Sequence, residues 1–213
     1  MKVWITGGMG DIALAIRERL LHAGGYEIAA PGRNEVDVTD PVAVRRFAED
    51  FRPDILVNNA GAIYDHSLRG GDILLDRNVI NVDLFGPFNC ANAALRVNPA
   101  VRIVNIGSSA ANKIHGAWSS YCAAKAGIVM ATKCWAADGI DAVCMSPGRT
   151  KTKMRAGLFP DEDSSTLLRA QDFAETVYMA ICGKYKPGTN IFVTVNNVQK
   201  IISGEITTDN ENI

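Results

Sequence analysis

Short apolar runs alternate with helically spaced segments along nearly the whole chain, and that alternation leaves few folds open. Lys2–Thr6, Glu27–Ala30, Ile55–Asn58, Arg102–Ile106, Asp141–Met145 and Asn190–Val195 read as strands. Between the first two, Ile12, Ile16, Leu20 and Ala23 fall on one helical face, and Gly24-Gly25 ends that helix. Asp40 caps a second helix with Pro41 in its first turn. Further helices are expected over Leu74–Leu95, Trp118–Trp135 and Gln171–Cys182. Arg102–Ile106 has the continuous apolar character of a strand covered on both faces. The pattern predicts an α/β fold: a doubly wound parallel sheet of Rossmann type, helices on both faces, in a single dinucleotide-binding catalytic domain over 1–213.

One segment departs from it. Only Pro31 to Glu35 separate Ala30 from Val36, too few for a parallel crossover. Val36–Val38 is therefore either a short extended edge or the sign of a trimmed sheet. Leu158–Ser165 is acidic and irregular and reads as a mobile flap near a pocket, and Glu205–Ile213 reads as a fraying end.

A chain of 213 residues, 47% hydrophobic and 21% charged, can bury a substantial core. Its net charge of −1 offers no basic field, so nucleic acid is not an expected partner. No apolar run approaches a membrane span, and no secretion signal precedes the first strand. The five cysteines, Cys90, Cys122, Cys134, Cys144 and Cys182, are odd in number, lack a CxxC pair and sit among apolar residues. They read as reduced, buried thiols of a cytoplasmic protein, with Cys122 a candidate pocket thiol. His22, His66 and His115 have no metal-ligand spacing, so no metal site is expected.

Thr6-Gly7-Gly8-Met9-Gly10-Asp11-Ile12-Ala13 joins the first strand to the first helix. Glycines let the backbone turn sharply and approach a pyrophosphate, and the free N–H groups of the following helix hold the anion. Gly7 and Gly10 make the turn, and Ala13 stands where a third small residue permits close packing. Asp11 would repel phosphates, so it is expected to point away. Arg33 follows the second strand, where NAD-preferring folds carry an acid for the ribose hydroxyls. Its planar fork suits a phosphate, so NADP(H) is favoured over NAD(H).

Tyr121-Cys122-Ala123-Ala124-Lys125 sets a phenol and an ammonium one helical turn apart, with Ser108 thirteen residues upstream. A nearby cation pulls a phenol toward ionisation, so the pair reads as a tuned proton donor or acceptor for carbonyl–alcohol chemistry.

Together these patterns resemble the short-chain dehydrogenase/reductase family over nearly the entire chain. The turn at Thr6–Ala13 is similar to the compact glycine motif of the extended branch. Asn58-Asn59-Ala60-Gly61 matches the family's NNAG, Asp37-Val38 its adenine-contacting pair, and Pro147-Gly148-Arg149-Thr150-Lys151-Thr152 its segment on the nicotinamide. Asn81 in Val79-Ile80-Asn81-Val82 resembles the helix asparagine of a water-mediated proton relay.

The resemblance implies a catalytic set of Asn81, Ser108, Tyr121 and Lys125. Tyr121 would exchange the proton, Lys125 would assist it and bind the nicotinamide ribose, and Ser108 would hold the substrate oxygen, with Ser109 as the substitute. It implies cofactor contacts from Gly7, Gly8, Met9, Gly10, Asp11, Ile12, Arg33, Asp37, Val38, Asn59, Ala60, Gly61, Tyr121, Lys125, Pro147, Gly148, Thr150 and Thr152. The expected function is hydride transfer between NADP(H) and a small carbonyl or alcohol in a small or shallow pocket, by a homodimer or homotetramer. Two alternatives stay open: a sugar-nucleotide or deoxysugar reductase or epimerase of the extended branch, and a non-catalytic NADP(H) sensor.

Overall fold

The computed structural model describes residues 1–206. Its sheet has six parallel strands in the order β2-β1-β3-β4-β5-β6. These are β1 Lys2–Ile5, β2 Glu27–Ala29, β3 Ile55–Asn58, β4 Arg102–Ile106, β5 Ala142–Pro147 and β6 Asn190–Val193. From β1 the chain steps outward to β2, then returns to the other side of β1 as β3. That reversal opens a crevice at the carboxyl ends of β1 and β3, where doubly wound folds take their ligands.

Side-chain alternation along the strands feeds two cores. Val3, Ile5, Val57 and Val104 face α1 (Asp11–Ala23), α7 (Ala170–Ile181) and α8 (Val198–Ser203). Trp4, Leu56 and Ile103 face the layer with α2 (Pro41–Phe51) and α4 (Gly86–Val97). Asp40 caps α2 as expected, its carboxylate accepting from the Val42 and Ala43 N–H groups. The helix α8 is an element that the sequence reading did not supply.

Val36–Val38 forms no strand. β2 is the edge, the sheet is trimmed there, and Val36 and Val38 are buried in the α2–α4 layer. The expected helix over Leu74–Leu95 runs as α3 (Ile73–Ile80), a π-helical turn (Asn81–Phe85) and α4. A π turn re-aims the side chains that it carries.

The segment read as a flap is tied down. A short helix α6 (Lys153–Leu158) precedes it, and Glu162 accepts from Arg155 Nη2 at 2.8 Å and from Arg149 Nη1 at 3.0 Å. Cys90 and Cys144 are buried as expected, but Cys134 and Cys182 are exposed and Cys122 is half-buried. The expected fraying of Glu205–Ile213 lies, for 207–213, outside the described residues. Among the described residues no helix is long and apolar enough to cross a membrane.

Candidate active site

The crevice is shaped mainly by backbone. Gly7 has φ +65°, and a Cβ there would stand 2.9 Å from Ala60 Cα. Thr6 Oγ1 accepts from the Asn59 and Ala60 N–H groups at 2.9 and 3.0 Å, while Asn59 Nδ2 donates to the Thr6 carbonyl at 2.9 Å. These bonds lock the glycine turn onto the end of β3. No side chain caps α1, so its amino end opens into a cavity of about 390 Å³ lined by Gly7, Met9, Gly10, Asp11 and Ile12.

Gly8 does not belong to that wall. It faces β2, where a Cβ would come within 1.9 Å of the Ala30 carbonyl oxygen, and its N–H donates to Pro31. Its task is close packing, which corrects the expected cofactor contact. Asp11 points away from the turn as expected, its carboxylate accepting from the Lys153 N–H at 2.6 Å.

Arg33, Asp37, Val38, Asn59, Ala60 and Gly61 line the same cavity. Arg33 is not a free cation, because its Nε donates to Asp37 at 3.1 Å. Burial acts to raise the Asp37 carboxyl, but Thr39 and Arg33 hold it below the usual carboxylate range.

Helix α5 (Ser119–Ala137) carries Tyr121 and Lys125, with the ammonium 5.6 Å from the ring centre. Lys125 is 5% exposed, and its Nζ donates to the Ile106 carbonyl at 3.0 Å. Its counter-ion is Asp83, 1% exposed and 3.0 Å away. The other Asp83 oxygen accepts from the Ala62 N–H at 2.8 Å. Asn81, the residue expected in the relay, does not contact Lys125 through its side chain. Asn81 is exposed, and the π turn brings Asp83, two residues on, to the lysine. The sequence held a signal for this: Asp83 stands in the apolar stripe of Val79, Val82, Gly86 and Cys90, where a charge requires a partner.

Burial lowers the tendency of Lys125 to hold its proton, yet the Asp83 charge more than offsets that and keeps the ammonium above its ordinary value. Burial also raises the Tyr121 phenol above its usual range. Lys125 and a hydrogen bond with Ser108 pull it down, and Asp83 pushes it up. The expected net lowering of the phenol by Lys125 is therefore reversed by burial.

A second cavity, of about 420 Å³, opens on the other side of Tyr121. Ser108, Ser109, Trp118, Phe159 and Arg149 are among its walls. Trp118 meets Tyr121 edge-on at 6.1 Å and lies 5.7 Å from Phe159. Its volume is at the lower end of the range for small-molecule sites, in keeping with the small pocket expected. Gly148 and Thr150 line this cavity, and the Thr150 hydroxyl donates to the Gly148 carbonyl at 3.0 Å. Ile12, Tyr121, Pro147, Thr152 and Met154 line both cavities.

The residues fit a dinucleotide: an uncapped helix end for a pyrophosphate, a cleft kept clear by Gly7 and Gly10, and a buried lysine beneath it. The comparisons with known proteins agree. The model of the short chain dehydrogenase family matches residues 33–163. The chain is 30% identical to the 3-oxoacyl-(acyl-carrier-protein) reductase FabG of Escherichia coli (strain K12), over 81% of this chain and 86% of that protein. It is 32% identical to the cis-4-hydroxycyclohexanecarboxylate dehydrogenase of Sinomonas cyclohexanicum, over 81% of this chain and 75% of that protein. Among solved structures, levodione reductase superposes with a TM-score of 0.80 at 21% identity, covering 93% of this chain and 97% of that one. This is an oxidoreductase fold with a tyrosine–lysine pair at its crevice. The chain belongs to the short-chain dehydrogenase/reductase family.

Proposed function

We propose that residues 1–213 act as one catalytic domain that reduces a small carbonyl compound, or oxidises the matching alcohol, with NADP(H) preferred over NAD(H). The observation that carries this reading is the place of Tyr121, which lines both cavities at once. A nicotinamide dinucleotide in the first cavity supplies hydride chemistry that no side chain can. Gly7, Gly10 and the start of α1 would bind its pyrophosphate, Asp37 and Val38 its adenine, and Pro147 and Thr152 its nicotinamide end.

Substrate in the second cavity places its oxygen against Tyr121 and Ser108. Ser108 holds that oxygen and stabilises negative charge that builds on it. Tyr121 gives it a proton in reduction and accepts one in oxidation. Lys125 stabilises the phenolate that reduction leaves behind. Trp118 and Phe159 exclude water from the carbonyl and give the pocket an apolar wall, which favours a compact, partly apolar substrate.

The NADP(H) preference rests on Arg33 at the end of β2. Asp37 already engages that side chain, so the preference is a few-fold, smaller than a free arginine gives. A cytoplasmic location goes with this reading, supported by five cysteines that form no disulfide among the described residues. So does assembly into a homodimer or homotetramer, supported by the exposed Leu74, Phe85, Phe88 and Met130 on α3, the π turn, α4 and α5.

The test is the near-ultraviolet absorbance of NADPH mixed with the purified protein and a panel of small ketones and aldehydes. Carbonyl-dependent decay supports the proposal. Tight NADPH binding with no decay across the panel removes catalysis and leaves a sensor.

A further inference from the structure

Asp83 is a carboxyl group inside the apolar stripe of its helix, where burial pushes its pKa up while the Lys125 ammonium and the Ala62 N–H pull it down. One oxygen takes the Ala62 N–H and the other meets Lys125. Gly61 gives it room, since a Cβ there would lie 2.9 Å from Asp83 Oδ1. An amide of the same shape offers one acceptor oxygen instead of two, so it could serve Ala62 or Lys125 but not both. Lys125 in turn donates to the Ile106 carbonyl, forms an ion pair with Asp83 and lines the cleft.

Building on the proposed carbonyl–alcohol chemistry, we propose that Asp83 is a positioning residue: its carboxylate fixes the Lys125 ammonium under the crevice and cancels part of the field that the ammonium exerts on Tyr121, so that the site is set to give a proton to a carbonyl rather than to take one from an alcohol. The sign follows from charge. A lone ammonium one turn from a phenol favours the phenolate, whereas an ammonium paired with a carboxylate forms a neutral couple with a weaker pull. Asp83 acts on the Tyr121 phenol in that upward direction, beside the larger effect of burial.

Other groups face the pair from each neighbouring element. On α5 itself Cys122 acts on Tyr121, and from β5 Cys144 acts on Lys125. From the segment after β4, Ser108 bonds the phenol, while Lys113 and His115 line the second cavity. Arg149 lines that cavity from the segment after β5 and is engaged by Glu162. Of these, only Asp83 contacts the Lys125 ammonium with a charge of opposite sign.

The experiment compares Asp83→Asn with the native enzyme, as rate against pH in both directions. Asp83→Asn also removes the charge that offsets the burial of Lys125, so the same comparison is made in the Lys125→Arg background, where the guanidinium keeps its proton. With its charge unmasked, the pH at which reduction falls off and oxidation sets in moves down by about one unit. At neutral pH the phenolate share, and with it the maximal rate of oxidation, then rises about tenfold; the KM values shift in step, since the overall equilibrium fixes the ratio of kcat/KM in the two directions. Midpoints that stay put, or move upward, overturn the proposal.

A second measurement needs no turnover. The phenolate absorbance of the protein minus that of its Tyr121→Phe counterpart follows Tyr121 alone through an alkaline titration, in the native background and in Asp83→Asn. Ionisation at lower pH in the variant supports the inference, and ionisation that is unchanged or higher overturns it. Failure of the enzyme reading is distinct: no turnover in either direction removes the proposed function, while this pair of titrations still decides the role of Asp83.

Discussion

The two sides of Tyr121 are built from different materials. The crevice between β1 and β3 is backbone work. A positive-φ glycine, an uncapped helix end and the bonds from Asn59 to the turn shape it, all close to one another along or across two strands. The other side is side-chain work. Trp118, Phe159, Arg149 and Ser108 come from three separate segments after β4 and β5, and Asp83 reaches Lys125 from a different helix. A backbone site tolerates little change at its glycines but serves any chemistry. A side-chain site decides which molecule reacts.

That contrast can be broken most sharply at the residue that both sides share. Tyr121→Phe should lower turnover about a thousandfold, since it deletes the proton while leaving the ring. Cofactor affinity, measured by fluorescence titration, should stay within about twofold of native. In the native enzyme the raised phenol stays protonated through neutral pH. Reduction should therefore persist into alkaline solution and decline only as the phenol ionises, while oxidation rises over the same interval.

Gly8→Ala should damage only the backbone side. Its Cβ has no space against the Ala30 carbonyl, so β2 must shift, at a cost of about 3 kcal/mol seen as a lower thermal midpoint. A variant of native stability would show that the turn is more yielding than its packing implies.

Phe159→Ala should touch only the side-chain half. It removes one aromatic wall from the second cavity. A rise of about tenfold in KM for the carbonyl, with NADPH binding unaltered, is the expected kinetic result.

The smallest effect belongs to Arg33→Ala. Affinity for NADPH should fall about threefold and that for NADH hardly at all, because the guanidinium already shares its charge with Asp37. Equal losses for both would place Arg33 outside the discrimination of the two cofactors.

The same division explains what could be read from the sequence. The parallel sheet, the capped start of α2 and the glycine turn follow from local patterns: apolar runs, Asp40-Pro41, and glycines after a strand. Tyr121, Lys125 and Ser108 were legible because two of them share one helix and the third lies at the end of the neighbouring strand. Asp83 was legible only as a charge in an apolar stripe; that its partner is Lys125 was not, because a π turn sets the face that it presents. The net direction of the Tyr121 phenol was also out of reach. It depends on burial, which outweighs a lysine that the spacing makes conspicuous.

The central claim is that a coenzyme in the backbone-built crevice and a carbonyl in the side-chain pocket meet at one phenol. A crystal structure with NADP+ and a bound alcohol or ketone measures this directly. The account predicts the ligand oxygen about 3 Å from both the Tyr121 hydroxyl and Ser108, with the nicotinamide ring on the crevice side of that oxygen. A nicotinamide lying outside the crevice, or a ligand oxygen out of hydrogen-bond reach of Tyr121, would contradict it.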